Sequence, residues 1–489
     1  MNRVQRTKVL WFGPRPDQGD IREFTQRELV LECPDQPVQP EDHRRLLTVR
    51  GMVFKFNPDK PGALAGIAQS LAFLAIDHGI LVFAIASAGY SLERLRQQLG
   101  PATDSASVIL RTDDAPIHEI AERIARCNPG PAYNPKVEIK ELLPCSLDEE
   151  TRLFLRRAFG DCESVLIEPL SEGKSATVFS VHATLSDSVA GPRPLPFFVK
   201  IDELKKINQE LDKYQSFASH FVQFNLRPNL VETRTVLGMH RGMLVGNFVE
   251  RSESLWDVAQ RGIAQEALHS LFDDAMRGWR RQGKVITGNI AKTLIDAEVF
   301  KPSKITSARF QLAQRLGSTK SQDEIVQILV ALPDRDFEKG PTHGDLHAYN
   351  VRVRGNDAIL IDFASAFNGP LAADPASLEV SLAFEVSRGE KDNASWYELM
   401  DTLYSVDFLT RIPPRAKERK PREWLWECIR QIRRVALAEE VSQFEYALAV
   451  VVYLLRRAMY PADSQLDDER RAYAYVVAER LSTEIADKL

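Results

Sequence analysis

The sequence has few cysteines and no long hydrophobic runs. Only five of its 489 residues are cysteine, and no two of them form a C-x-x-C pair. This argues against a disulfide framework or a zinc site and indicates reduced thiols in a cytoplasmic protein. The longest apolar stretches, Gly62–Ile76 and Tyr446–Leu455, are shorter than the ~18–20 residues of a membrane span. The cysteines are Cys33, Cys127, Cys145, Cys162 and Cys428.

The sequence also has no excess of positive charge, and its start, MNRVQRTKVLWFG, predicts a strand and no signal peptide. The 63 Lys and Arg residues stand against 68 Asp and Glu, and the formal net charge is -5. We therefore expect no nucleic-acid partner and no membrane association. The apolar content of 44% is ordinary for a soluble globular protein, and 489 residues predict about three domains.

Residues 1–145 alternate short apolar runs with helical patterns. Continuous Val, Ile, Leu and Phe runs suit strands that are buried on both faces, and the alternation favours a parallel sheet. Five strands with intervening helices predict an α/β, flavodoxin-like domain. No G-x-G-x-x-G turn follows the first strand, so we expect no dinucleotide site there. The runs are KVLWF (8–12), ELVLEC (28–33), GMVFKF (51–56), ILVFAIA (80–86) and SVILRT (107–112).

The rest of the chain changes pattern twice. Residues 146–164 contain a predicted connector helix, DEETRLFLRRAF. Residues 165–250 read as an antiparallel sheet interrupted by one helix, and 251–489 read as largely helical. The exception is the block 340–370, where VRVRG and AILIDF predict a small hairpin beside the loop THGDLHAYN.

This loop combines residue types that suit a metal–nucleotide site. Asp345 lies in the predicted turn, Asn350 follows five positions later, and Asp362 ends the next strand. Phosphoryl transfer needs a base to orient the attacking hydroxyl and a Mg²⁺ ion to bridge the phosphates. Mg²⁺ prefers hard oxygen ligands such as carboxylates. Turn chemistry alone is the simpler explanation, because Asp, Asn and Gly all favour tight turns.

HGDLHAYN followed by IDF resembles the aminoglycoside phosphotransferase and choline kinase group of protein-kinase-like folds. The resemblance implies a two-lobed α+β domain with a largely helical C-terminal lobe. It implies that Asp345 is the catalytic base and that Asn350 and Asp362 hold Mg²⁺. Three further residues would support the loop, namely His343, His347 and Asp374.

The same resemblance assigns ATP-binding residues to the region 165–250. Lys200 lies inside an apolar strand, where an unpaired lysine is costly, and Glu210 on the next helix is its expected partner. Glu203 is a competitor that falls near the strand end. A phosphate-covering loop would use Gly173, Lys174 and Ser175, and a hinge would meet the adenine through Asn247, Phe248 and Val249.

The N-terminal domain resembles a response-regulator receiver that has lost its acceptor. Asn57 stands about where the phospho-accepting aspartate belongs, and an asparagine cannot form the acyl phosphate. Asp59 is two residues late. A degenerate receiver-like domain that docks a protein partner is the main interpretation. A true phosphoreceiver using Asp59 and another flavodoxin-like binding domain are the alternatives.

These features predict an ATP- and Mg²⁺-dependent phosphotransferase that acts on a hydroxyl of a small molecule or a protein. An acidic acceptor pocket would favour a cationic substrate such as an aminoglycoside or choline, but the sequence does not identify the pocket. The alternative is a catalytically weak nucleotide-binding scaffold, or pseudokinase, in a bacterial-type signalling or defence assembly. The glycine-poor nucleotide loop favours that alternative. Transfer of the nucleotide on the same fold and assembly as a homodimer both stay open.

Overall fold

A computed structural model describes the chain as two compact units. Unit 1 comprises residues 1–208 and 229–248, and unit 2 comprises residues 209–228 and 249–489. The residues described are 6–34, 46, 48–57, 62–127, 131–142, 147–170, 176–186, 191–194, 196–387, 389–415 and 422–489. Asp59, Gly173, Lys174, Ser175 and Cys145 lie outside the described residues.

Unit 1 begins with a five-stranded parallel sheet that has the strand order β2-β1-β3-β4-β5. This is the flavodoxin-like order, and the strands match the five predicted runs to within two residues. The strands are β1 (Lys8–Phe12), β2 (Val30–Glu32), β3 (Val49–Phe56), β4 (Leu81–Ala86) and β5 (Val108–Thr112). The helices are α1 (Gln18–Thr25), α2 (Gly62–Asp77), α3 (Leu92–Leu99) and α4 (Ile117–Arg126).

Both faces of this sheet are buried, which explains its continuous apolar strands. Val9 and Trp11 enter one core, whereas Leu10 and Phe12 enter another. Successive side chains of a strand point to opposite faces, so a doubly covered sheet needs apolar residues at every position. The α/β architecture predicted for this region is therefore observed, while its receiver-like identity and docking role stay predictions.

A second, six-stranded sheet in unit 1 has the order β10-β11-β9-β8-β7-β6. All of its pairings are antiparallel except that of β6 with β7, an edge addition that the sequence patterns did not predict. The strands are β6 (Glu138–Glu141), β7 (Cys162–Pro169), β8 (Thr177–Leu185), β9 (Phe197–Glu203), β10 (Val236–Leu237) and β11 (Arg241–Asn247). The helices are α5 (Glu149–Ala158) and α6 (Leu204–Lys213), the second of which contains the boundary at 208.

Unit 2 contains two three-stranded sheets, β12-β15-β16 and β13-β14-β17. The predicted hairpin is confirmed as the antiparallel pair β15–β16. The second sheet was not predicted, because its edge strand β13 leaves Val285 55% exposed and lacks an alternating apolar pattern. The strands are β12 (Glu253–Ser254), β13 (Lys284–Gly288), β14 (Arg335–Thr342), β15 (Val351–Arg354), β16 (Asp357–Leu360) and β17 (Phe367–Pro370).

The remainder of unit 2 is helical, as expected for the C-terminal part of the chain. The apolar run Tyr446–Leu455 lies in α17, whose residues are buried almost all round. None of the helices in the described ranges is both long enough and apolar enough to cross a membrane. The helices are α7 (Leu255–Gln260), α8 (Gln265–Ser270), α9 (Arg277–Arg280), α10 (Ile290–Asp296), α11 (Ser307–Arg315), α12 (Gln322–Val330), α13 (Ala373–Phe384), α14 (Ala394–Leu403), α15 (Val406–Leu409), α16 (Glu423–Ala438), α17 (Glu445–Met459) and α18 (Gln465–Lys488).

The C-terminus of α2 joins the two sheets of unit 1. The backbone N–H of Met239, in the turn between β10 and β11, donates to Asp77 Oδ1 at 3.1 Å. The buried guanidinium of Arg157, on α5, donates to the carbonyl of Asp77. Met239 also packs into one of the two cores of the parallel sheet. Residues on both sides of position 145 therefore belong to one compact unit.

Asp77 makes this contact dependent on pH. Burial raises the pKa of its carboxyl from 3.8 to about 6, and the hydrogen bond from Met239 offsets only part of the effect. Between about pH 4 and pH 6, the Asp77 carboxyl is therefore protonated in the folded protein and ionised in the unfolded chain. The resulting stabilisation is complete below about pH 4 and is lost as the pH rises through about 6.

Asp77→Asn removes this titration and retains an amide oxygen for Met239. The variant is expected to gain stability relative to the wild type as the pH rises from about 4 to 7, by about 2–3 kcal/mol. Urea unfolding at both pH values measures the gain, with the exposed Asp104→Asn as the control. A difference between variant and wild type that stays constant with pH would contradict the raised pKa.

Candidate functional site

The loop that follows β14 is tied to the end of the β15–β16 hairpin. The backbone N–H of Ile361 donates to the carbonyl of Asn350 at 3.0 Å, and the Ile361 carbonyl lies 2.9 Å from His343 Nε2. His343 is fully buried and packs its ring against Phe363. Because these contacts fix Ile361, the following residue, Asp362, is held beside the loop.

A buried carboxylate braces the first half of the loop. Asp374, in the first turn of α13, is 1% exposed and accepts the backbone N–H groups of His343 at 2.8 Å and Gly344 at 3.1 Å. Burial raises the pKa of Asp374, while His343 and the two N–H donors oppose that rise. Gly344 has a φ of +75°, and an added Cβ would lie 2.3 Å from the Ser365 carbonyl oxygen. Only glycine fits this position without strain.

The two predicted metal ligands present oxygen atoms. The amide nitrogen of Asn350 donates to the Asp345 carbonyl at 3.0 Å, which leaves the side-chain oxygen Oδ1 for a metal. Asp362 adopts a left-handed conformation (φ 61°, ψ 76°), and its Oδ1 accepts the N–H of Ala364 at 3.4 Å. Such a conformation is uncommon outside glycine and often marks a functional site.

Asp345, the predicted base, is paired with an arginine that the sequence patterns did not single out. Its Oδ1 accepts from Arg456 Nη2 at 2.7 Å, and the two side chains are 33% and 12% exposed. The other carboxylate oxygen, Oδ2, lies 3.9 Å from His347 Nε2. Arg456 follows directly after the apolar run of α17. A charged side chain next to a buried helix face needs a partner of opposite charge. The sequence therefore indicated that Arg456 has such a partner, although not which residue it is.

Arg456 is held by more than its carboxylate partner. Its Nη1 donates to the Gly344 carbonyl at 2.6 Å, and its Nε donates to the Tyr460 hydroxyl at 2.9 Å. The guanidinium carbon also lies 5.7 Å from the centroid of the Tyr453 ring. With both ends of the guanidinium fixed, the side chain can hold Asp345 in one orientation.

Burial and the charges around the loop together set the pKa of His347. Burial lowers the pKa of its imidazole, and the carboxylates of Asp345 and Asp362 counteract part of that effect. The charge on Arg456 lowers the same pKa further. The imidazole is therefore held neutral at a pH where an exposed histidine would begin to take up a proton.

The other predicted site residues are distributed over both units. Lys200 lies on β9, in the interior of the second sheet of unit 1, opposite Val178 of β8 and Leu244 of β11 in the strand register. Glu210 lies on α6, in the part assigned to unit 2. The chain passes from unit 1 to unit 2 between Phe248 and Val249, inside the predicted hinge. Their nucleotide-binding roles stay predictions.

Two of the predicted hinge residues already use their backbone N–H groups. Asn247 donates to the carbonyl of Asn229 at 3.1 Å, and Phe248 donates to that of Pro196 at 3.0 Å. Any adenine contact made by these two residues would therefore use groups other than their N–H donors.

No group of three or more His, Cys, Asp or Glu side chains in the described ranges could hold a metal ion. The pair Asn350 and Asp362 would therefore need ligands from elsewhere. This suits Mg²⁺, which usually keeps several waters and binds through one or two side chains together with substrate phosphates.

The sequence model of the family Ternary complex associated domain 9 matches residues 311–478, about a third of the chain. These residues include the loop, Asp362, Asp374 and Arg456. No curated protein matches the sequence at a significant level.

Among solved structures, the chain is similar to kinases of small molecules. One is the amicoumacin kinase hAmiN in complex with AMP-PNP, Ca²⁺ and Ami, with 14% identity, 66% of this chain and 88% of that chain covered, and a TM-score of 0.37. A second is the aminoglycoside phosphotransferase APH(3'')-Id from Streptomyces rimosus, with 18% identity, coverages of 59% and 99%, and a TM-score of 0.31. A third is a choline kinase from Cryptosporidium parvum, with 9% identity, coverages of 66% and 90%, and a TM-score of 0.36.

Asp374→Asn tests whether the two hydrogen bonds to Asp374 stabilise the loop. The amide retains one acceptor oxygen and places its NH₂ group against the other backbone N–H, so one buried donor loses its partner. We expect the free energy of unfolding of unit 2 to fall by about 1–3 kcal/mol. Urea unfolding followed by tryptophan fluorescence measures the loss.

The matched control is Asp336→Asn, at an exposed position of β14 that accepts the Thr287 hydroxyl at 2.6 Å. It should change the free energy of unfolding by no more than about 0.5 kcal/mol. Equal effects of the two substitutions would show that the two buried hydrogen bonds of Asp374 do not stabilise the loop.

Proposed function

We propose that the protein is an ATP- and Mg²⁺-dependent phosphotransferase of the aminoglycoside phosphotransferase-like group. It transfers the γ-phosphate to a hydroxyl of a small molecule or a protein. One observation carries the proposal. Hydrogen bonds join the loop that carries Asp345 and Asn350 to Ile361, the residue before Asp362, and Asp374 braces the backbone of the loop. Turn chemistry alone does not account for a metal-type oxygen pair beside a partly exposed carboxylate.

Asp345 acts on the acceptor. Its Oδ1 is engaged by Arg456, and its Oδ2 orients the acceptor hydroxyl and takes its proton as the oxygen attacks the γ-phosphorus. The bond between that phosphorus and the β–γ bridging oxygen breaks, and ADP leaves. Such proton transfer contributes about 10²–10⁴ in rate.

Asn350 and Asp362 fit Mg²⁺ because both offer hard oxygen donors and neither is part of a thiolate or imidazole cluster. When bound, Mg²⁺ neutralises charge on the nucleotide phosphates. His343 holds the loop by its contact with Ile361, and burial lowers the pKa of the His347 imidazole beside Asp345.

The remaining predicted residues keep their roles in this proposal. Lys200 contacts the nucleotide phosphates, Glu210 orients it, and the segment 247–249 contacts the adenine. The loop with Gly173, Lys174 and Ser175 covers the phosphates. Residues 1–145 dock a protein partner that regulates or localises the enzyme.

A nucleotide-binding scaffold is the second candidate function. The ion pair of Asp345 with Arg456 favours it, because the carboxylate oxygen Oδ1 is already occupied by a guanidinium. The description of the matching family, a domain associated with a ternary complex, is consistent with assembly in a multi-protein system. The two candidates share Mg²⁺–ATP binding and differ in phosphoryl transfer.

Thermal unfolding with ATP, with and without Mg²⁺, tests the metal–nucleotide site. A ligand that binds only the folded state raises the midpoint, and saturation at about 100 times its Kd stabilises by about 2.7 kcal/mol. We expect a rise that requires Mg²⁺ and is lost in Asp362→Ala. Asp357→Ala, in the same hairpin, should keep the rise. No rise in the wild type would contradict both candidate functions.

Asp345→Asn separates the two candidates. The amide keeps an oxygen for Arg456 but cannot take a proton. We expect the variant to retain the Mg²⁺–ATP shift and to lose transfer by about 10²–10⁴, measured as acceptor-dependent release of ADP. Unchanged transfer would refute the assigned base, and a wild type that binds Mg²⁺–ATP without transfer to any acceptor supports the scaffold.

A further inference from the structure

Arg456 places a fixed positive charge where the acceptor hydroxyl must approach. It shares hydrogen bonds with the side chain of Asp345 and the carbonyl of Gly344, and Tyr460 holds its Nε. These bonds use one N–H on each of its three nitrogens, and a guanidinium has five. In the described part of the chain, these hydrogen bonds leave the second N–H of Nη1 and the second N–H of Nη2 available to a ligand.

The other charges near Asp345 do not offset this cation. Asp374 is buried and satisfied by two backbone N–H groups. Asp362 is committed to the metal under the proposed function. The Asp345–Arg456 pair therefore has a net charge close to zero, whereas Asp345 alone would present a full negative charge.

We propose that Arg456 is a specificity-determining residue that excludes cationic acceptors from Asp345. The acceptor then carries its reacting hydroxyl on a neutral or anionic molecule. This inference rests on the proposed function and narrows it. A substrate ammonium near the hydroxyl would be repelled by the guanidinium and would find the carboxylate already paired. An anionic group would instead find the remaining N–H donors of a planar guanidinium.

The same charge argument predicts what removal of Arg456 does. Arg456→Gln leaves Asp345 as a lone, partly exposed carboxylate, which attracts cations. Choline and 3-amino-1,2-propanediol, both hydroxyl-bearing cations, should then bind about tenfold more tightly than to the wild type, which corresponds to about 1.4 kcal/mol. Glycerol, the neutral counterpart of the second probe, should show no such gain.

The experiment measures the probe concentration that gives half of the maximal rise in melting temperature for the full-length protein, with NaCl as the ionic-strength control. Arg456→Lys keeps the charge and should exclude both cations as the wild type does. The double variant Asp345→Asn/Arg456→Gln should lose the gain. Arg456→Met, similar in length, carries the same test if the glutamine variant does not fold.

Each outcome supports or overturns the proposal. Cation binding by Arg456→Gln alone, lost in the double variant, supports it. Cation binding by the wild type that is lost in Asp345→Asn overturns it. Absence of binding in every variant also overturns it, because Arg456 is then not what excludes cations. The proposed function fails separately, by the absence of a Mg²⁺–ATP shift in the same melting assay.

Discussion

The buried carboxylate of Asp374 is the contact on which the candidate site depends. It accepts the two consecutive N–H groups of His343 and Gly344 where the loop leaves β14. A backbone turn in the protein interior needs such a partner, because an unpaired buried N–H costs about as much as a lost hydrogen bond. Once the turn is fixed, Gly344 supplies the left-handed conformation and Asp345 reaches the surface.

Helix α13 connects that contact to the rest of unit 2. Further along the helix, Glu379 is fully buried and pairs with Arg433 of α16 at 2.6 Å. The hydroxyl of Tyr446, on α17, donates to the same carboxylate at 2.6 Å. Helix α17 also carries Arg456 to Asp345. The loop is thus contacted by α13 through Asp374 and by α17 through Arg456, and the two helices are themselves joined by the hydrogen bond from Tyr446 to Glu379. A buried ion pair such as that of Glu379 with Arg433 adds little net stability but fixes how the helices pack.

This arrangement gives the candidate base an unusual electrostatic setting. A carboxylate that only had to bind a cation would gain from being unpaired, whereas Asp345 is paired with a guanidinium that is itself clamped by Gly344 and Tyr460. The pair orients the carboxylate and places an opposite charge beside it. Orientation matters more than basicity in phosphoryl transfer, which proceeds with little covalent help from the protein. The setting is therefore compatible with the proposed phosphoryl transfer.

Local patterns in the sequence determined the elements and one cluster of the site. Continuous apolar runs predicted the five strands of the parallel sheet, since both of its faces are buried. The sequence pattern also predicted the hairpin that follows the loop, and hydrogen bonds join Asn350 to Asp345 and to Ile361, the residue before Asp362, while the metal-binding role of these residues stays a prediction. Tertiary structure alone decided three other features. It added β6 and the sheet of β13, β14 and β17, whose short or exposed strands carry weak patterns. It placed Asp77 against Met239, 162 residues away, which joins the two sheets of unit 1. It also brought Arg456 to Asp345 across 111 residues, because the partner of a buried charge is chosen by packing and has no fixed spacing in the sequence.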